Sequence, residues 1–169
     1  MNIRVYRTAD CPMLLQLFYD TVHTVNARDY SPEQLAVWAT GNVDAAAWDR
    51  SFLQHHTLVA EEAGQVLGFG DMDADGYLDR LYVHRDFQRR GVASAIVLQL
   101  EEYAGARGVT RFTTYASITA LPFFERHGYM VLQSNEVIRS GVSLTNYWME
   151  KQVGTAPSAP QPDLYIKHF

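Results

Sequence analysis

The chain has 169 residues, of which 47% are hydrophobic and 20% are charged, so it can bury the core of one ordinary domain and is not expected to be disordered. Its formal net charge of −5 argues against a general nucleic-acid binder, which needs a basic surface. Cys11 is the single cysteine, which excludes an internal disulfide, and no leader or apolar run of about 18 residues is visible, so we expect a soluble cytoplasmic protein without a membrane partner.

The first third of the chain predicts one strand and two helices. Side chains alternate from Ile3 to Arg7, which is typical of a strand. Asp10 as a cap and Pro12 in the first turn then predict a helix start. Ser31 to Gln34 has the spacing of a capping box with a proline at the first helical position, which predicts a second helix. The expected apolar face of the first helix is Leu14, Leu15, Phe18, Val22 and Val25.

The middle of the chain predicts three strands followed by a long helix. The strand-like runs are His56 to Glu62, Gln65 to Asp73 and Tyr77 to His84, with turn residues between them. The helix is expected to begin at Gly91 and to end at Gly108. Its expected buried stripe is Val92, Ala93, Ile96, Val97, Leu100, Tyr103 and Ala104.

The last part of the domain predicts a strand, a short helix and two more strands. The strand is Arg111 to Ser117 and the helix is Leu121 to His127, closed by a glycine. Tyr129 to Gln133 and Leu144 to Lys151 are predicted as strands around a polar connection.

The composition changes after these elements. Residues 154–162 are rich in proline, alanine and serine and are predicted to be a linker. Asp163 to Phe169 is apolar again, and we expect this tail to be docked on its own domain or on a neighbour. The expected organisation is therefore one domain over residues 1–153, followed by a linker and docked tail over residues 154–169.

The stretch FQRRGVAS, which begins at Phe87, combines a basic turn with a helix start. The first N–H groups of a helix have no internal partner, and the helix dipole adds positive charge there. Gly91 allows close approach to the backbone, and Arg89 and Arg90 add positive charge. This combination predicts a phosphate or pyrophosphate site. Its spacing is neither that of a Walker loop nor that of a dinucleotide fingerprint.

Three stretches carry a resemblance to a known family. QRRGVA, from Gln88 to Ala93, fits the Q/R-x-x-G-x-G/A motif that binds the acetyl-CoA pyrophosphate in the GNAT N-acetyltransferase superfamily. Leu78 to Val97 resembles that family's fourth strand, loop and following helix, and Ala116 to Tyr129 resembles the end of its fifth strand and its fourth helix. The resemblance covers residues 2–152. With YSPEQLAVWA, from Tyr30 to Ala39, the chain is similar to a small bacterial branch, the YafP-like proteins.

The resemblance implies an α/β (α+β) fold with a mixed, mostly antiparallel sheet flanked by about four helices. In that fold the fourth and fifth strands splay apart and hold acetyl-CoA. The implied activity is direct transfer of acetyl from acetyl-CoA to a primary amine of a small molecule or peptide in a ternary complex. A non-catalytic acyl-CoA-binding sensor and an interaction protein that uses its tail stay open as alternatives, as does a homodimer.

The resemblance assigns cofactor positions in three groups. Main-chain groups bind the pantetheine arm like an added strand, a loop and helix start bind the pyrophosphate, and three side chains face the arm. The first group is Leu81, Tyr82 and Val83; the second is Gln88, Arg89, Arg90, Gly91, Val92, Ala93 and Ser94; the third is Ser117, Phe123 and Phe124.

One position departs from the family pattern. Members often have a tyrosine in the fourth helix that protonates the leaving thiolate, and the matching residue here is Phe124, which has no exchangeable proton. Tyr82, Tyr115 and Tyr129 are the substitutes to consider. A free thiol titrates at about 8.5, so the thiolate can also leave without side-chain help.

Asp79 is the first candidate for the base that deprotonates the amine, because it precedes the cofactor-binding end of its strand by two residues. Glu125 and His23 are lesser candidates. A structural pairing of Asp79 with Arg80 stays open as the alternative. A backbone N–H, from Tyr82 or Val83, is expected to polarise the acetyl carbonyl.

The acceptor site is expected where the first helix runs into the second. His23, Asn26 and Tyr30 are the candidates for contact with the acceptor, although each is also a plausible packing residue. The histidines and carboxylates show no metal-ligand spacing, so no metal is predicted. Small amines, polyamines, antibiotics, peptide N-termini and lysine side chains all stay open, and the net acidity slightly favours a cationic acceptor.

Overall fold

The structure is a computed structural model that describes residues 1–154. Its strands are β1 (Asn2–Val5), β2 (His56–Glu62), β3 (Gln65–Met72), β4 (Tyr77–Val83), β5 (Arg111–Ser117), β6 (Met130–Arg139) and β7 (Val142–Gln152). Within these residues they form one sheet in the order β1-β2-β3-β4-β5-β7-β6. The β4–β5 pair is parallel and the other neighbours are antiparallel, so the predicted mixed, mostly antiparallel sheet is confirmed.

Helices cover both faces of the sheet. Over residues 1–154 they are α1 (Cys11–Thr24), α2 (Pro32–Trp38), α3 (Ala45–Gln54), α4 (Val92–Gly105) and α5 (Leu121–Arg126). Residues of α1, α2 and α3 pack in one buried cluster, and residues of α4 and α5 pack in the other. None of these helices has both the length and the apolar character needed to cross a bilayer.

Two predicted helix starts have different outcomes. Ser31 accepts the N–H of Gln34 at 3.2 Å while the Gln34 amide oxygen accepts the N–H of Ser31 at 2.8 Å, so the capping box of α2 is confirmed. Asp10 occupies the predicted N-cap position of α1, which begins at Cys11, but its side chain makes no cap hydrogen bond to the helix. Its buried carboxylate instead accepts hydrogen bonds from both terminal nitrogens of the Arg4 guanidinium and from the N–H of Arg7, which closes a short 3₁₀ turn before the helix.

Two elements depart from the sequence predictions. Helix α3 was not predicted, although Asp44 caps it by accepting the N–H of Ala47 at 3.0 Å. The polar connection predicted between the last two strands is also wrong, because β6 and β7 form a long hairpin with a turn at Ser140 and Gly141. The polar residues Gln133 to Glu136 are part of β6, which lies at the edge of the sheet and pairs with β7. The predicted docked tail lies outside the described residues.

Strand β4 contains the irregularity that shapes the site. Its register against β3 shifts where Asp71 faces Arg80 but Met72 faces Leu78. Asp79 is thus an extra residue on β4, which makes it a β-bulge, and a bulge bends its strand and redirects side chains.

Candidate active site

The sheet opens between β4 and β5. These parallel strands are paired at two positions, Tyr77 with Thr113 and Leu78 with Thr114. The Thr114 hydroxyl donates to the Leu78 carbonyl at 2.9 Å at the last of these pairs. Beyond the bulge at Asp79 the described strands diverge, and a cavity of about 640 Å³ is lined by both of them. The splayed strands predicted from the resemblance are therefore present.

Along the end of β4, the backbone N–H groups point alternately toward β3 and into this gap. The N–H of His84 donates to the Leu67 carbonyl on β3 at 2.8 Å. Because N–H directions alternate along a strand, the N–H of Tyr82 also points toward β3, whereas those of Leu81 and Val83 point into the gap. Of the two N–H groups predicted to polarise the acetyl carbonyl, that of Tyr82 is thus directed toward β3 and that of Val83 into the gap.

The loop before α4 has the backbone shape expected of an anion site. The φ angle is 61° at Arg89 and 79° at Gly91, so two residues within three are left-handed. Helix α4 begins at Val92, and its first N–H groups point out of the helix end. A Cβ built on Gly91 would meet nothing within 4 Å, so its φ, not contact with protein, requires glycine.

Several side chains of this loop bind the protein itself. The Gln88 amide donates to the Val83 carbonyl at 2.6 Å and so ties the loop to the end of β4. The Arg90 guanidinium lies 5.2 Å from the Phe87 ring centroid. The Ser94 hydroxyl lies 3.0 Å from Nε2 of His127, a residue that the sequence reasoning did not select. Arg90 therefore packs on the turn before α4, and Gln88 fixes the loop to β4.

The predicted walls of the cofactor arm line the cavity. Ser117, Phe123 and Phe124 are all lining residues. The Ser117 hydroxyl accepts the N–H of Ala120 at 3.1 Å and thereby shapes the turn into α5. Phe124 is buried and packs edge-on against Phe123.

The tyrosines proposed as replacements for the missing acid differ in position. Tyr129 is buried, and its hydroxyl donates to Glu101 at 2.9 Å, outside the residues that line the cavity. Tyr82 and Tyr115 do line the cavity. The Tyr82 ring packs edge-on against Phe18 on α1. Burial raises the pKa of both lining tyrosines, which keeps their hydroxyls protonated.

Asp79 projects into the cavity from the bulge, and its side chain is 20% exposed. Its carboxylate lies 3.7 Å from the Arg80 guanidinium. Strict alternation would separate these consecutive side chains, and the bulge brings them to one side of β4. The base role and the pairing role predicted for Asp79 are therefore compatible. Glu125, the lesser candidate, is exposed on α5 and does not line the cavity.

A buried ion-pair network lies beneath Asp79. Arg80 donates to both oxygens of the buried Asp71 carboxylate, at 2.9 and 2.8 Å, and to the Ser51 hydroxyl at 2.6 Å. Nδ1 of His55 lies 2.6 Å from the same carboxylate, and this hydrogen bond raises the pKa of His55. His55, Asp71 and Asp79 offer ligand atoms within 4.8 Å of one another. Arg80, however, already binds both oxygens of Asp71, so we interpret the group as an ion-pair network.

The three predicted acceptor contacts separate in the structure. Asn26 is buried and lines the cavity. His23 does not line it, and its Nε2 lies 2.8 Å from the Ala39 carbonyl. The Tyr30 hydroxyl donates to the Thr145 carbonyl at 2.7 Å and accepts the N–H of Ile118 at 2.9 Å, which locks α2 to β7. Burial also raises the pKa of Tyr30 to about 12. His23 and Tyr30 thus do not line this cavity, and both side chains bind the protein itself.

Two further side chains that line the cavity were missed. Helix α3 contributes Trp48 and the β6–β7 hairpin contributes Arg139. Both are brought to the cavity by elements that the sequence reasoning did not predict. Arg139 lies next to the Ser140–Gly141 turn, on one face of β6 with Asn135 and Val137. Because Gln133 to Glu136 are four consecutive polar residues, no alternation in the sequence extends the predicted strand to it.

Comparison with known proteins finds relatives in one family. Residues 26–151 match the family model described as "Acetyltransferase (GNAT) domain". The chain is 33% identical over 149 residues to a protein from Escherichia coli (strain K12) named "Uncharacterized N-acetyltransferase YafP", and the match covers 88% of this chain and 94% of that relative. The resemblance to YafP-like proteins predicted from the sequence is therefore confirmed.

Two solved structures show the same architecture. A GCN5-related N-acetyltransferase structure from Rhodopseudomonas palustris superposes with a TM-score of 0.86 at 34% identity, over 90% of this chain and 95% of that one. The PaiA N-acetyltransferase of Thermoplasma acidophilum, solved in complex with coenzyme A, superposes with a TM-score of 0.72 over 90% of this chain and 99% of that one. At 17% identity the second likeness concerns the fold.

Proposed function

The chain belongs to the GNAT acetyltransferases, a family of acetyl-CoA-dependent enzymes, and on this premise we propose that it transfers acetyl directly from acetyl-CoA to a primary amine of a small molecule or peptide. Both substrates are bound together in a ternary complex. Holding the amine beside the thioester carbonyl supplies much of the rate, because it replaces a bimolecular encounter.

The observation that carries the proposal is the gap between β4 and β5. Two β4–β5 pairs end at Leu78, and past them the Leu81 and Val83 N–H groups turn away from β3 into a cavity. An extended arm with amide groups can pair there as an added strand. The left-handed loop and the start of α4 then suit the pyrophosphate.

We assign the chemical roles to two groups. Asp79 removes the proton from the bound ammonium, since it is a partly buried carboxylate in the same cavity. The Val83 N–H stabilises the negative charge that develops on the carbonyl oxygen. Phe124 supplies packing alone, so the CoA thiolate leaves without a proton from that position.

The first test is a thermal-shift titration with acetyl-CoA, CoA and ATP. A ligand at about a hundred times its Kd stabilises a fold by about 2.7 kcal/mol, which raises the midpoint by about 5–10 °C for a chain of this size. We expect that shift with acetyl-CoA and CoA and little with ATP. No shift with acetyl-CoA at about millimolar concentration would overturn the proposed function.

The second test is thiol release with a panel of amines. Asp79→Asn is expected to lower kcat by about a hundredfold or more, because removal of a positioned base has that effect. Glu125→Gln is the matched control, because it neutralises an exposed carboxylate that does not line the cavity. Binding of CoA without thiol release from any amine would favour the acyl-CoA sensor instead.

A further inference from the structure

We propose that Arg80 is a positioning residue for acetyl transfer, because its side chain fixes the β-bulge that holds Asp79 in the cavity. The proposal rests on the proposed function, in which Asp79 is the base, and it adds a residue that acts through Asp79. The observations behind it are the pairing of β4 with β3 and the contacts that Arg80 makes on β3 and α3.

Strand β4 is anchored on opposite faces of the sheet by two residues that are two positions apart. Leu78 is buried in the cluster that contains residues of α4, together with Met72. The guanidinium carbon of Arg80 lies 4.2 Å from the ring centroid of Phe52, which belongs to the other buried cluster. Strict alternation would place Leu78 and Arg80 on the same face of the sheet. One extra residue on β4 reconciles the two anchors, and that residue is Asp79.

The pairing of β4 with β3 shows what the bulge achieves. Met72 faces Leu78, whereas past the bulge Asp71 faces Arg80. If regular pairing continued from Met72, Asp71 would face Asp79 instead. Two like charges directly opposite each other on antiparallel strands are destabilising. The bulge therefore places a cation opposite the buried Asp71 and leaves Asp79 beside that cation, in the lining of the cavity.

One nitrogen of Arg80 connects its anchors with the proposed base. Nη2 donates to Asp71 at 2.8 Å and to the Ser51 hydroxyl at 2.6 Å, and it lies 3.7 Å from the Asp79 carboxylate. Carboxylate oxygens of Asp71 and Asp79 lie within 4.8 Å of each other, so the guanidinium offsets the repulsion between them. Tyr77 hydrogen-bonds Asp79 as well, so the carboxylate has a second contact on β4. The orientation of Asp79 therefore depends on the anchorage of Arg80.

The anchorage requires the shape of an arginine. Nε and Nη2 of Arg80 each bind one oxygen of Asp71, at 2.9 and 2.8 Å, and the guanidinium lies over the rings of Trp48 and Phe52. A guanidinium fork matches a carboxylate and stacks on aromatic rings, whereas a lysine ammonium is a point charge on a flexible stem. Arg80→Lys therefore keeps a positive charge near Asp79 and removes the anchor.

The first experiment measures thiol release for Arg80→Lys with the most reactive amine of the panel. We expect kcat to fall about tenfold or more, because a displaced catalytic group costs up to about a hundredfold in rate. KM for acetyl-CoA and the acetyl-CoA thermal shift are expected to keep their wild-type values, because the charge and the cofactor loop are unchanged. Ser51→Ala removes one hydrogen bond of Arg80, keeps the pair with Asp71, and is expected to lower kcat by a smaller factor.

Arg4→Lys is the matched control. Arg4 likewise binds both oxygens of a buried aspartate, Asp10, at 2.8 and 2.9 Å, and it also binds Glu61. It does not line the cavity. Arg4→Lys is therefore expected to lower the free energy of unfolding, as Arg80→Lys does, and to keep the wild-type kcat. An equal fall of kcat in both variants would mean that general destabilisation controls the rate, and it would overturn the proposal.

A double-mutant cycle tests whether Arg80 acts through Asp79. In Asp79→Asn, where the base is already absent, Arg80→Lys and Ser51→Ala are each expected to cause no further loss of kcat. Equal fold losses with and without Asp79, or a wild-type kcat in Arg80→Lys, would overturn the positioning role. If Arg80→Lys does not fold, the Ser51→Ala cycle decides by the same criteria. The proposed function fails by other results, namely no acetyl-CoA thermal shift or no effect of Asp79→Asn on kcat.

Discussion

At Gly91 the backbone conformation favours glycine, whereas the surrounding protein leaves room for a side chain. Its φ of 79° favours glycine, while a Cβ would meet no protein atom within 4 Å. We therefore expect Gly91→Ala to cost about 1 kcal/mol of stability from strain and to lower acetyl-CoA affinity about tenfold or more, because the methyl occupies the approach of the pyrophosphate. Urea unfolding and calorimetry measure the two effects.

Gly108 provides the matched control for this change. Its φ is 90°, a Cβ there also meets nothing within 4 Å, and it follows the other end of α4. Gly108→Ala is expected to cost a similar amount of stability and to leave acetyl-CoA affinity unchanged. Unchanged affinity in Gly91→Ala would contradict a phosphate site at this loop.

His55 and His56 are neighbours with opposite pH effects on stability. The hydrogen bond to Asp71 raises the pKa of His55, so the folded state binds that proton more tightly than the unfolded state does. Its contribution is fully present below about pH 6.5 and is lost as pH rises through the higher folded pKa. Burial against Tyr103 and the charge of Arg107 lower the pKa of His56, whose contribution is lost as pH falls.

Two glutamine variants separate these effects. The free energy of unfolding is measured in urea from about pH 5 to about pH 8.5. In His55→Gln, the free energy of unfolding is expected to fall less than in the wild-type protein when the pH is raised. In His56→Gln, it is expected to fall less than in the wild-type protein when the pH is lowered. Identical pH profiles for both variants would contradict the assignment.

At the scale of elements, the pairing of β4 with β5 at Leu78 and Thr114 limits the gap at one end. The buried Thr114 hydroxyl donates to the Leu78 carbonyl where the ladder ends. Thr114→Val keeps the shape but removes the donor, so a loss of about 1–2 kcal/mol in unfolding free energy is expected. Thr24→Val removes an exposed hydroxyl that bonds the Asp20 carbonyl and is expected to change stability by less than about 0.5 kcal/mol. Equal small effects would mean that this bond does not hold the strands.

Elements with strong local signals could be predicted from the sequence. The α2 start depends on Ser31 and Gln34, which are three residues apart, so the pattern contains its own partner. The loop before α4 and the phenylalanines of α5 were likewise found from contiguous residues. The side chain of Asp10 was misassigned as a helix cap because its partner is Arg4, on a preceding strand. The sequence alone does not distinguish an aspartate that caps a helix from one that forms an ion pair.

The part of the cavity lined by β4, α3 and the β6–β7 hairpin could not be predicted, because elements distant in sequence build it. The bulge at Asp79 depends on the register of β4 against β3, which alternation along one strand does not reveal. Arg139 reaches the cavity because β6 continues through polar residues that pair with β7. Tyr30 was assigned to the acceptor, yet its hydroxyl bridges Ile118 and Thr145, which are far away in sequence.

At the scale of the whole molecule, two buried clusters lie on opposite faces of one sheet. Leu58 and Val59 are adjacent on β2 and belong to different clusters, so the same strands carry both. We expect the clusters to unfold in one cooperative transition. Phe112→Ala on one face and Phe52→Ala on the other are each expected to cost about 3–5 kcal/mol.

The measurement compares far-ultraviolet circular dichroism with tryptophan fluorescence during urea unfolding. Trp38 and Trp48 pack with the cluster of Phe52. In Phe112→Ala the two signals are expected to shift together to a lower midpoint. A fluorescence transition that stays at the wild-type midpoint would mean that the two faces are independent units.

The gap between β4 and β5 affects how readily the protein aggregates when no cofactor is bound. Past Leu78 the described residues of these two strands form no further ladder pairs with each other, which gives the sheet two inner edges besides its outer ones. A bare strand edge is a template for aggregation. Bound acetyl-CoA is expected to cover these inner edges. Protein without acetyl-CoA is therefore expected to aggregate more readily, through these edges.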